Sequence, residues 1–125
     1  MKKIFIHLFI LLVSFTSFAQ KKHHTKTGIA SFYHQKFHGK KTASGEIFNN
    51  QNLTAASNYF ALGTKVLVTN LKNNKQVFVL INDRMAKHTK RLIDLTYAAA
   101  NQLEFIALGM CKVKVEIVNN EVEND

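Results

Sequence analysis

The chain has 125 residues, room for a single domain, and its lone cysteine, Cys111, excludes an intramolecular disulfide. Its 17 Lys+Arg outnumber 8 Asp+Glu for a formal net charge of +9, a balance that favours anionic partners such as nucleic acid, anionic headgroups or acidic cell-wall polymers. No HExxH, CxxC or other spaced ligand set supports a zinc site, and there is no glycine-rich phosphate loop.

In chain order, Met1–Ala19 has the anatomy of a secretory signal peptide: Lys2 and Lys3, an apolar run from Ile4 to Val13, and the small residues Ser17 and Ala19 at the cut. A membrane anchor needs about 20 apolar residues, and His7, Ser14 and Ser17 interrupt this run. Cleavage is therefore expected, with no stable membrane insertion afterwards and a secreted product of the periplasm or cell envelope. It removes two lysines and no acid, leaving a net +7. In that compartment an envelope polymer is the expected anionic partner, and nucleic acid is not.

Residues 20–27 read as a polar, basic leader, residues 28–118 as the folded domain, and residues 119–125 as an acidic, frayed tail. His23 and His24 lack further ligands in register, so no metal site and no cofactor are expected. A monomer is expected.

The domain reads as mainly β. A first strand is predicted over Ile29–Tyr33, followed by a long polar stretch through Asn58 with too little apolar periodicity for anything but loop and turn. Such stretches on a rigid scaffold collect binding residues. "KVLVTNL" and "QVFVLIN" predict a hairpin, because the intervening Asn73-Asn74 tolerates positive φ. A short strand is predicted in "RLIDL", then a helix from the N-cap Thr96 through "YAAANQLEF", with Gly109 beyond its end. The last strand is Lys112–Val118. Cys111, Val113, Val115 and Ile117 alternate with Lys112, Lys114 and Glu116, which puts the thiol on an apolar face as an inert core group. Many short strands and one helix favour a closed or nearly closed barrel.

Three acids invite chemistry. Val77, Val79, Ile81 and Asp83 share parity, so an extended strand places the Asp83 carboxylate at the core-facing end of the most apolar strand. Partial desolvation there favours the protonated form, as a general acid needs, whereas Arg84, Lys87, Lys90 and Arg91 favour the ionised one. Capping the following loop or pairing with Arg84 is the alternative. Asp94, just ahead of the helix, is expected to accept backbone N–H bonds or favour the helix N-terminus. Glu46 is the only acid of the long basic loop. It either faces Asp83, as paired carboxylates do in glycosidic-bond cleavage, or pairs with Lys40 or Lys41. His38 and His88 are further proton-shuttle candidates.

The ordered segments "GIASFYHQKFHGKKTASGEIFNNQNLTAAS", "LGTKVLVTNLKNNKQVFVLINDR" and "RLIDLTYAAANQL" resemble the rare lipoprotein A family over Gly28–Val118. The resemblance implies a six-stranded double-psi β-barrel, shared with expansin-type domains. It also implies lytic transglycosylase activity on peptidoglycan strands poor in stem peptides, as in septal-ring members of the family. An acid protonates the oxygen between N-acetylmuramic acid and N-acetylglucosamine, and the muramic C6 hydroxyl closes a 1,6-anhydro ring. By position, Asp83 of N-D-R is the implied general acid/base, and Glu46 of S-G-E supports the transition state or positions the sugar. Tyr33, His38, Thr42, Ser44, Ser57 and Arg84 are the implied substrate-binding residues. The sequence departs from the family in three places. Ser57 stands where a histidine is usual, "NDRMAK" replaces N-D-R-G-P-F, and there is neither a lipobox cysteine nor a C-terminal peptidoglycan-binding domain, so a minimal free barrel is expected. A non-catalytic, expansin-like glycan-binding barrel is the alternative.

Overall fold

A computed structural model of the chain describes residues 25–34 and 37–118. The predicted signal segment, the His23-His24 pair and the acidic tail lie outside the described residues. Among the described residues, six strands, β1 (Thr25–Phe32), β2 (Thr54–Ala56), β3 (Lys65–Asn70), β4 (Gln76–Asp83), β5 (Ile93–Leu95) and β6 (Cys111–Ile117), enclose one core with an α-helix, α1 (Tyr97–Gln102). They close into a barrel in the order β1-β5-β2-β4-β3-β6.

Closure comes from the first and last strands. β1 pairs antiparallel with β6 from Thr25↔Glu116 to Ala30↔Cys111. β1 therefore begins at Thr25 rather than Ile29, since β6 supplies backbone partners for residues expected to belong to the leader. The β3–β4 hairpin runs in register from Lys65↔Leu80 to Thr69↔Gln76, and Asn74 takes the positive φ of 63° that its turn needs. Inward-facing Val66, Val68, Val79, Ile81, Val113 and Val115 fill the centre. Cys111 packs against this core, as its alternation predicts, and burial pushes its thiol up to about 11.

Two elements differ from the sequence reading. β2 lies inside the stretch read as loop. Its three residues, Thr54, Ala55 and Ala56, are all buried between β5 and β4. A strand covered on both faces shows no alternation, and three residues are too few for periodicity to register. The helix stops at Gln102 rather than near Phe105, because Glu104 takes a left-handed φ of 59°. Gly109, with φ 78°, instead closes a separate turn in which its N–H bonds the Phe105 carbonyl at 3.1 Å. Thr96 does cap the helix, accepting from the Ala99 N–H at 3.3 Å.

Candidate active site

The site begins with an irregularity in β4. Val77, Val79 and Ile81 face the core, and continued alternation would bury Asp83 with them. Instead Ala55 pairs with Ile81 while Ala56 pairs with Asp83. Asn82 is the extra residue of a β-bulge, and its side chain is buried. A bulge bends its strand and re-aims the next side chain, so Asp83 leaves the core face.

It joins a row across four adjacent strands. Ser31 pairs with Asp94, Asp94 with Ala56, and Ala56 with Asp83. Register partners present their side chains to the same face. Adjacent strands lie about 4.8 Å apart, so the two aspartates stand roughly 10 Å apart at Cα, with only the Ala56 methyl between them. That gap is the floor of a cleft of about 650 Å³ whose walls include Tyr33, Phe37, Lys40, Lys41, Met85 and Arg91.

Three donors hold the Asp83 carboxylate in one orientation. The Tyr33 hydroxyl donates to Oδ2 at 2.7 Å. The backbone N–H groups of Ala43 and Arg84 donate to Oδ1 at 2.9 and 2.8 Å. Tyr33 is itself wedged between rings, with centroids 4.5 Å from Phe48 and 5.8 Å from Phe37. Burial, then the hydrogen bond to Asp83, then the charges of Asp83 and Asp94 push its phenol far above the usual tyrosine range. Tyr33 is thus a permanent donor at any physiological pH.

Asp94 does not cap the helix. Arg91 grips it through both oxygens, Nε to Oδ1 at 2.9 Å and Nη2 to Oδ2 at 3.0 Å, and the Ser31 hydroxyl also donates to Oδ1. The bond to Asp94, more than its charge, raises the Arg91 guanidinium further above its ordinary value. The place of Asp94 just ahead of the helix predicts a structural role apart from the site; only the register through Ala56 joins it to Asp83.

The remaining site candidates divide. The turn Thr42–Glu46 is docked on the end of β4. Ala43 bonds Asp83 directly, and the Ser44 N–H bonds the Asn82 carbonyl at 3.1 Å. The turn is closed internally by Gly45 N–H to Thr42 O at 3.0 Å, with Gly45 at φ 90°. The Thr42 and Ser44 hydroxyls meet at 2.9 Å, and Ser44 donates to Glu46 Oε1 at 3.2 Å. Glu46 is exposed on this turn, beside the cleft rather than on its floor. His38 is exposed, its Nδ1 accepting from the Asn50 N–H at 3.3 Å. His88 is exposed on the loop after β4.

Ser57 is fully buried and does not present its hydroxyl to the cleft. The hydroxyl donates to the Leu92 carbonyl at 2.9 Å and accepts from the Tyr59 N–H at 3.1 Å. Arg84 lines the cleft, yet its Nη1 donates to the carbonyls of Ser57 at 2.6 Å and Phe60 at 2.5 Å. Asn58 completes this clamp, accepting from the Met85 N–H at 2.9 Å and donating to the Ala86 carbonyl at 3.1 Å. The "NDRMAK" loop is thereby fastened to the turn that follows β2. Among the described residues, no three His, Cys, Asp or Glu side chains converge as a metal site requires.

The closed six-stranded barrel with its one short helix is a double-psi β-barrel. The same fold appears in the Streptomyces papain inhibitor (TM-score 0.62, 21% identity, 76% of this chain and 94% of that one). It appears again in the expansin of Clavibacter michiganensis (TM-score 0.57, 20% identity, 77% of this chain and 51% of that one). The chain belongs to the lytic transglycolase family, whose model matches residues 25–115. It is 45% identical over 100 residues to the endolytic peptidoglycan transglycosylase RlpA of Haemophilus influenzae, covering 80% of this chain and 35% of that protein. With the protein of the same name from Pasteurella multocida it shares 48% over 95 residues, covering 76% and 32%. The corresponding figures for Rickettsia bellii are 46% over 105 residues, 82% and 46%. The chain thus spans between about a third and a half of the length of these curated relatives.

Proposed function

We propose that the protein is an endolytic peptidoglycan lytic transglycosylase of the cell envelope, cleaving between N-acetylmuramic acid and N-acetylglucosamine in strands poor in stem peptides. The observation that carries this reading is Asp83, re-aimed by the bulge into an open cleft and fixed there by three donors. Asp83 is the acid/base. It delivers a proton to the glycosidic oxygen as that bond breaks, and the resulting carboxylate takes the proton of the muramic C6 hydroxyl as its oxygen closes on C1. The proton taken equals the proton given, so the carboxyl ends as it began and no water is consumed. Glu46, on a turn bonded directly to Asp83, supports the positive charge that develops on the ring or positions the sugar. Tyr33 is a positioning residue, and so is the Ser31–Asp94–Arg91 group on the opposite side of Ala56.

Glycan strands stripped of stem peptides, incubated with the protein, should yield 1,6-anhydromuramyl ends by mass spectrometry. Asp83→Asn should slow their release by about 10²–10⁴-fold, the usual contribution of general acid–base catalysis. Wild-type protein that releases no such ends overturns the reading.

One observation favours a second reading, a glycan-binding barrel without turnover. Where the family usually has a histidine, Ser57 is buried and bonded to backbone, so no imidazole reaches Asp83 from β2. That reading predicts binding to insoluble sacculi which survives Asp83→Asn, with no product from either protein.

A further inference from the structure

The cleft is unevenly charged. Lys40, Lys41, Arg84 and Arg91 line it against Asp83 and Asp94. Arg91 is neutralised by its two-point grip on Asp94, and the Arg84 guanidinium is spent on the Ser57 and Phe60 carbonyls. Lys40 and Lys41 remain, and neither forms an ion pair with a described carboxylate.

Their backbone is rigidly tied to the acid. Lys41 bridges Ile47, and the Phe48 N–H bonds the Lys40 carbonyl at 2.6 Å, which makes the two lysines the base of the turn that grips Asp83 through Ala43. Lys41 is two residues from that contact, roughly 7 Å along the chain. The Lys40 ammonium lies 5.9 Å from the centroid of the Phe37 ring, which also lines the cleft.

Resting on the glycan-cleaving reading above, we propose that Lys40 and Lys41 form an acid-recognition subsite for the free lactyl carboxylate of the muramic acid whose bond is cut. The lactyl ether hangs from the same sugar ring as the reacting anomeric carbon. A ring placed with its glycosidic oxygen at Asp83 therefore holds that carboxylate within one sugar's width of the acid, where the lysine pair stands. When the lactyl group is in amide linkage it carries no charge there, and the two ammonium groups lose their partner. The lysines thus discriminate by the charge of the substituent as well as by its size.

The test compares soluble glycan oligomers with free lactyl carboxylates against the same oligomers converted to the simple amide, measuring Kd by calorimetry and turnover by anhydro-end release. Wild type should bind the free acid about tenfold tighter, as expected for a charge-assisted contact. Lys40→Gln/Lys41→Gln should bind both forms alike, with the affinity of wild type for the amide. Lys72→Gln/Lys112→Gln, which removes the same charge away from the cleft, should keep the preference. Equal wild-type affinity for acid and amide overturns the subsite. So does a preference that survives in the Lys40/Lys41 variant, or one that disappears with Lys72 and Lys112. Failure to cleave either oligomer contradicts the catalytic reading instead, while the two affinities still decide the role of the lysines.

Discussion

At the scale of single residues, the site depends on how Asp83 is held. Its oxygens accept from Tyr33, Ala43 and Arg84, and only Tyr33 contributes a side chain. Tyr33→Phe removes that donor while keeping the ring between Phe37 and Phe48. It should lower kcat by about tenfold, the loss of one hydrogen bond to a charged group, with KM nearly unchanged. The same phenol gives the fold an alkaline dependence. Its folded pKa is raised above the ordinary 10.0, so the neutral form is favoured by folding. That stabilisation is fully present below pH 10.0 and is lost progressively as pH climbs above it. Denaturation followed against pH should show this loss in wild type, and Tyr33→Phe should abolish it. Cys111 obeys the same sign: with a thiol at about 11, native protein should react with a disulfide reagent at neutral pH far more slowly than urea-unfolded protein.

At the scale of elements, the outcome turns on where regular alternation stops. The hairpin strands, β6 and the Thr96 cap are legible in the sequence because period-two and capping signals are local. β2 was not legible, since three buried residues have no period. The bulge was not legible either, because Asn82 looks like any strand residue until Ala55 and Ala56 are known to lie opposite Ile81 and Asp83. Parity alone sent Asp83 to the core. Motif resemblance supplied Asp83 as an acid, but it gave no view of Asp94 across the Ala56 floor, nor of a buried Ser57, since both depend on long-range register. Gly28 illustrates a contact of the same kind: a Cβ there would stand 2.8 Å from the Leu92 Cβ. Gly28→Ala should therefore push β5 outward and cost about 1–3 kcal/mol of stability by denaturant titration. Leu92 also carries the carbonyl that holds Ser57, so the displacement should propagate toward the cleft.

At the scale of the molecule, closure and charge govern behaviour. The barrel leaves no free sheet edge, and its seam joins the first and last strands. Such non-local pairing makes folding slow relative to a helical chain of this size. On the proposed reading, the basic surface would draw the protein to acidic cell-wall polymer over distances that salt shortens to about 8 Å at physiological strength. Release from sacculi should therefore rise steeply with sodium chloride, equally for wild type and Asp83→Asn, because in that reading attraction comes from the whole surface while Asp83 serves only the chemical step.

On the proposed reading, the Asp83 carboxyl gives its proton to the glycosidic oxygen and recovers one from the C6 hydroxyl as the 1,6-anhydro ring closes. Digestion of stem-peptide-free glycan strands in water enriched in oxygen-18 tests it directly. Proton recovery without water should give 1,6-anhydro ends free of heavy oxygen, lost in Asp83→Asn; reducing muramyl ends carrying the label would show hydrolysis instead.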